Sequence, residues 1–92
     1  MRIIGIDPGS TRIGFGIIEQ GASGLRCVAY GTIDNPGTDR AHDLQNTARE
    51  LNILIKQYHP DQAVVERLFF AKNQKTAMAV SETRGVIILT LA

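Results

Sequence analysis

Short apolar runs separated by turn residues fill the first third of the chain. Residues 3–7, Ile-Ile-Gly-Ile-Asp, run into Asp-Pro-Gly, so the apolar stretch predicts a strand that stops at a turn. After the turn, Ile13-Gly14-Phe15-Gly16-Ile17-Ile18 predicts a second strand, whose alternating glycines suit a flat face or a close backbone approach. Residues 20–24 (Gln-Gly-Ala-Ser-Gly) have turn chemistry, and residues 25–33, with Val28 and Tyr30, predict a third strand. The short connections make the three an antiparallel meander.

The period then changes. Asp34-Asn35-Pro36-Gly37 ends the sheet run, and Leu44, Ala48, Leu51, Ile55 and Tyr58 recur at helical spacing, with Thr38 or Asp39 placed to cap the start. His59-Pro60 stops that helix, because proline has no N–H to continue the ladder. Residues 62–66, Gln-Ala-Val-Val-Glu, predict a buried fourth strand. Strand, helix and strand in succession form a crossover, so the fourth strand is expected parallel to a member of the first sheet, with strand one its expected neighbour. From about residue 73 the pattern is helical again, with Ala77, Val80, Arg84, Ile87 and Leu91 on one stripe and Met78, Ser81, Gly85 and Ile88 beside it. The closing Ile-Ile-Leu-Thr-Leu-Ala has no Gly or Pro stop, and a helix cut short is the expectation there. No repeat or low-complexity segment interrupts the pattern.

Composition narrows this little. At 92 residues, 43% hydrophobic and 21% charged, the chain suits one small soluble domain, 1–92. Cys27 is the only cysteine, which excludes an internal disulfide and a zinc cluster, and a reduced, cytoplasmic setting is expected. The start lacks the basic-then-apolar form of a leader, and no run approaches the length of a membrane span. Net charge is only +1, yet residues 67–84 hold Arg67, Lys72, Lys75 and Arg84 against Glu82 alone, whereas residues 1–66 hold six basic and eight acidic residues. The local excess solvates a helix start or meets phosphates.

The candidate chemistry lies at two strand ends. Asp7 closes strand one and Glu66 closes strand four; each alone reads equally as a turn or loop residue. If the strands are parallel neighbours, about 4.8 Å apart, both acids sit at one sheet edge, on faces that parity allows to coincide. Two carboxylates so close repel unless a cation or proton lies between them. Oxygen-only ligation favours Mg²⁺ or Mn²⁺, the ions used in phosphodiester hydrolysis. Just beyond, Phe69 and Phe70 are either core plugs or an aromatic wedge that stacks on an unpaired base. Lys72 and Asn73 fall where a helix begins, and free N–H groups there favour a phosphate.

GIDPGST at 5–11, VVERLFFAKN at 64–73 and TRGV at 83–86 together resemble the RuvC family of Holliday-junction resolvases, in order and spacing over essentially all 92 residues. The first motif alone is weak; its pairing with E-x-x-F-x-x-K-N is specific. The resemblance implies an α/β fold of the RNase H-like type: an antiparallel three-strand meander, a crossover helix, a fourth strand parallel to strand one and a long helix. It implies a homodimer that cuts four-way DNA junctions with Mg²⁺, or Mn²⁺ in its place. Asp7 and Glu66 would be catalytic metal ligands, Phe69 would stack on a base with Phe70 beside it, and Lys72 and Asn73 would lie near the DNA backbone. The helix at about 73–91 would form the dimer contact, with Ala77, Ser81 and Gly85 small enough for close approach. RuvA and RuvB, the family's branch-migration proteins, are implied partners.

The departure from the family is at the far end. Its members carry two further acidic or histidine ligands on a later helix, and no residue after Glu82 here is acidic. A C-terminally incomplete domain is therefore expected, with weak Mg²⁺ binding and little or no cleavage by these residues alone. Two other readings stay open. Asp7-x-Gly9-x-Thr11 matches the D-x-G-x-T phosphate loop of the actin and sugar-kinase superfamily, and a non-catalytic junction-binding or dimerisation module would carry the same pattern. The YqgF-type nucleases share the expected fold and Asp7, but not the E-R-L-F-F-A-K-N run.

Overall fold

The computed structural model describes residues 1–66 and 74–92, without the side chains of Gln74 and Lys75. β1 (Arg2–Asp7), β2 (Arg12–Gly21) and β3 (Gly24–Asp34) form the antiparallel meander. α1 (Arg40–Tyr58) crosses over to β4 (Gln62–Val65), which pairs parallel with β1, and α2 (Gln74–Leu91) follows. The sheet order is β3-β2-β1-β4, so β1 is interior, between an antiparallel and a parallel neighbour.

The hairpin is longer than its apolar pattern. β2 and β3 stay paired out to Gly21 opposite Gly24, leaving only Ala22 and Ser23 as the loop. Ladder hydrogen bonds join backbones and need no apolar side chain, and Gly24 takes the positive φ of 114° that a tight hairpin demands. α1 begins at the second of the two expected caps: the Asp39 carboxylate accepts from the His42 N–H at 3.3 Å. It ends on His59 at φ 49°, whose N–H donates to the Ile55 carbonyl, and Pro60 prevents continuation.

Strand alternation sorts the side chains. Ile4 and Ile6 of β1, Ile13 and Ile17 of β2 and Ile33 of β3 are buried on one face of the sheet, together with Leu51 of α1 and Ile87 of α2. Each such burial contributes about 1.5–3 kcal/mol. The opposite face carries Gly5 and Asp7 of β1, Gly14 and Gly16 of β2, and Tyr30 of β3. It is open, with Tyr30 82% and Val64 61% exposed. Val64 departs from the buried strand expected of Gln62-Ala-Val-Val-Glu: β4 is an edge strand, and only Val65 packs on the core. Of the apolar stripe expected of α1 only Leu51 is fully buried, with Ile55 and Tyr58 partly buried against the core, and two polar residues, Asp43 and Thr47, are buried as well. In α2, Ile87 and Thr83 are buried, whereas Met78, Ser81, Gly85, Ile88 and Leu89 face outward.

Candidate active site

Pro8 and Gly9 end β1 immediately after Asp7, so its carboxylate stands at the lip of the sheet. Gly9 is required there: a Cβ at that position would lie 2.0 Å from the Arg12 carbonyl oxygen. The returning strand places Gly14 opposite Asp7 and Gly16 opposite Gly5. No side chain rises from these glycines, and the floor beside the acid stays low.

Glu66 arrives from the other side. Gly5 pairs with Val64 and Ile6 with Val65, and the Glu66 N–H donates to the Ile6 carbonyl at 3.0 Å, extending the ladder one step beyond β4. That step sets Glu66 level with Asp7, and the alternation of side chains sends both to the open face. The two carboxyl groups meet. Glu66 is held above the usual glutamate range, first by its hydrogen bond with Asp7, then by the Asp7 charge, and least by burial. Two carboxyl groups set side by side repel unless a proton or a cation lies between them. Both residues are exposed, so a cation can reach them.

Backbone contacts hold both acid-bearing segments. The Asn35 N–H donates to the Thr11 carbonyl at 2.8 Å, and Arg40 Nη1 donates to the Ser10 carbonyl at 2.7 Å, fastening the turn that leaves Asp7. Arg84 Nε of α2 reaches the Glu66 carbonyl at 3.4 Å. The structure thus brings Asp7 and Glu66 together, as their strand-end positions imply. Phe69, Phe70, Lys72 and Asn73 lie outside the described residues. Among the described residues no group of three or more His, Cys, Asp or Glu gathers here or elsewhere. Among the described residues the donor set is two carboxylates, a fit to a hard divalent cation that keeps most of its water. Sequence reasoning overlooked Arg40: it lies far along the chain from Asp7, in a helix whose visible signal is its apolar stripe, and no local pattern marks it.

A meander continued by a parallel fourth strand, with acids at the ends of the central strand and its parallel neighbour, defines the RNase H-like class. The family model for "Crossover junction endodeoxyribonuclease RuvC" matches residues 3–92. This chain belongs to the RuvC family. A RuvC of Roseiflexus sp. (strain RS-1) is 46% identical over 92 residues, covering 99% of this chain and 55% of the relative. One of Borrelia turicatae (strain 91E135) is 44% identical over 93 residues, covering all of this chain and 58% of the relative. The chain thus spans a little over half the length of these curated relatives. Among solved structures, Thermus thermophilus RuvC in complex with a Holliday junction substrate superposes with a TM-score of 0.87 at 20% identity, over 98% of this chain and 58% of that one. An Aquifex aeolicus PPX-GPPA enzyme shares the architecture more loosely, with a TM-score of 0.58 and 15% identity over 98% of this chain and 32% of that one. That likeness is one of fold alone. Membership of the RuvC family removes the reason to read Asp7-x-Gly9-x-Thr11 as a kinase phosphate loop.

Proposed function

We propose that this chain carries the Asp7–Glu66 half of the metal site of a structure-specific endonuclease, which resolves four-way DNA junctions by Mg²⁺-dependent phosphodiester hydrolysis. The observation that carries the reading is the carboxyl pair: two acids in register on parallel strands, open to solvent, with Glu66 held protonated more strongly than an isolated glutamate. Among the described residues no base forms an ion pair with either acid, as a structural ion pair would require. Asp7 and Glu66 would hold Mg²⁺, with Mn²⁺ the substitute. When bound, such an ion would supply a water of lowered pKa and neutralise charge on the phosphate. Asp7 and Glu66 orient that ion; the glycine floor leaves room for a backbone phosphate; Lys72 and Asn73 contact the DNA backbone; and Phe69, with Phe70 beside it, stacks on a base at the junction.

Residues 1–92 belong to one RNase H-like nuclease domain, and the two further ligands that the family carries are not among them. Two carboxylates alone bind Mg²⁺ weakly, so these 92 residues are expected to cut little. The outward face of α2, with Met78, Ser81, Gly85, Ile88 and Leu89, is the homodimer contact. A two-fold axis through a small residue lets identical helices approach closely. RuvA and RuvB are the partners that family membership suggests, and a cytoplasmic setting accords with the absence, among the described residues, of a helix long and apolar enough to cross a membrane.

The test joins this chain to the remaining portion of the Roseiflexus relative and assays a synthetic four-way junction beside a duplex of the same sequence. Paired cuts in the junction alone, dependent on Mg²⁺ and abolished by Asp7→Asn or Glu66→Gln, are expected. Undiminished cutting by either variant refutes the metal-site assignment.

A further inference from the structure

Arg40 stands in the first turn of α1 and spends its guanidinium on other elements. Nη1 donates to the Ser10 carbonyl at 2.7 Å, in the turn that leaves Asp7. Nη2 donates to the Thr83 hydroxyl at 2.7 Å and to the Ala79 carbonyl, and Nε donates to the Glu82 carboxylate at 3.1 Å. The last three acceptors all belong to α2. Four acceptors on two elements engage most of the five donors of a rigid, planar fork. The fork is partly buried: the Arg40 side chain is 31% exposed and Thr83 only 1%. Thr83 is fixed in turn, because its hydroxyl donates to the Ala79 carbonyl at 3.1 Å.

The two hydrogen bonds on the turn divide its work. Asn35 holds the far end, at Thr11, and Arg40 holds the end nearer Asp7, at Ser10. A residue serving helix packing alone would have no use for the Ser10 carbonyl. We propose that Arg40 is a positioning residue for the acid pair, fixing the turn that carries Asp7 to helix α2, so that the placement of α2 sets the placement of the Asp7 carboxylate. This deepens the metal-site reading and rests on it for its functional meaning. α2 also reaches the other acid's backbone, through Arg84 Nε and the Glu66 carbonyl. One helix therefore touches both supports of the pair.

The experiment labels the chain with ¹³C at the Asp and Glu carboxyl carbons. Metal-free spectra of Arg40→Gln, Arg40→Lys and Arg12→Gln are compared with the parent at one pH. Arg12→Gln removes an arginine from the other end of the same turn, where it pairs with Asp34. Positioning predicts that the Asp7 signal moves in Arg40→Gln and moves less in Arg12→Gln. Arg40→Lys keeps the charge but has one nitrogen for four acceptors, so it behaves like Arg40→Gln. A lowered melting temperature with the Asp7 signal at its parental place overturns the proposal, as does restoration of that signal by lysine. If Arg40→Gln does not fold, Thr83→Val removes one α2 acceptor and must still move the Asp7 signal; an unmoved signal overturns the proposal. The same samples are then titrated with Mn²⁺, and affinity is expected to fall about ten-fold in Arg40→Gln. A parent protein that binds no Mn²⁺ refutes the metal-site reading, whereas the positioning claim is decided by the metal-free Asp7 signal.

Discussion

Asp7 and Glu66 are neighbours across a parallel ladder, level with one another one step past the Ile6–Val65 pair, and the Asp7 carboxyl beside it holds the Glu66 carboxyl above its usual range. Neither acid has a described basic side chain hydrogen-bonded to its carboxylate, so their mutual repulsion is relieved by a proton or by a cation. This pair is an unfavourable contact in the folded protein at neutral pH. The proposed metal site rests on this pair, because carboxyl pairs of this kind cluster at functional sites more than at stabilising contacts.

The first expectation concerns pH. The folded-state value of Glu66 is raised above the usual 4.5, so the folded protein binds a proton more readily than the unfolded chain. Its contribution to stability is complete below 4.5 and is lost as pH rises through the raised value. Thermal melts without divalent ions, from about pH 4 to about pH 8, should show a decline in melting temperature over that window. Asp7→Asn should remove most of the decline, and Mg²⁺ should reverse part of it by taking the proton's place. A parental profile unchanged by Asp7→Asn would mean that the pair is not coupled.

Gly9 and Gly16 should respond oppositely to alanine. A Cβ on Gly9 meets the Arg12 carbonyl at 2.0 Å, so Gly9→Ala must open the turn, at a cost of about 1–3 kcal/mol. A Cβ on Gly16 meets nothing within 4 Å, and Gly16→Ala is expected to leave stability unchanged or slightly raised. Urea denaturation midpoints of the two variants separate these outcomes.

Asp43 should be a stabilisable position. It is 1% exposed, and its Oδ1 has no hydrogen-bond partner. Asp43→Asn nearly preserves its shape and removes the charge, for an expected gain of about 1–2 kcal/mol by chemical denaturation. Part of that gain is offset because Asp43 lies in the first turn of α1, where a negative charge favours the helix dipole, by about 0.3–1 kcal/mol.

The outward face of α2 is tested at Gly85, which is exposed and has open space around it. Gly85→Arg should leave the fold intact and convert a dimer to monomer in sedimentation velocity. If the parent sediments as a monomer at every concentration, the α2 contact is not a dimer interface.

Phe69→Ala separates stacking from packing. Retained melting temperature with impaired junction cutting in the joined protein is the expected result. A fall of about 3–5 kcal/mol in stability would instead make Phe69 a core residue.

Much of this protein was legible in the chain, because its signals are local. Apolar runs broken by Asp-Pro-Gly and by 20–24 mark three strands whichever neighbours they find. Asp39 and His59-Pro60 bracket α1 by chemistry confined to each end of the helix. The crossover rule made β4 parallel to a member of the meander, with β1 its expected neighbour, and on that pairing Asp7 and Glu66 become neighbours by their positions at strand ends. What sequence could not supply was anything dependent on which surfaces meet. The exposure of Val64 follows from β4 being an edge, and edge or centre is a property of the sheet. Asp43 and Thr47 are polar, and their burial appears only when α1 lies against the rest of the fold. Arg40 looks like a solvated first-turn residue until α2 and the Ser10 turn converge on it. Local backbone preference and hydrophobic period are written into consecutive residues, so they determined the elements and set an acid at the end of two of the strands. Long-range convergence is a sum over contacts distant in sequence, so only the tertiary structure decided which arginine holds the turn and which face stays open.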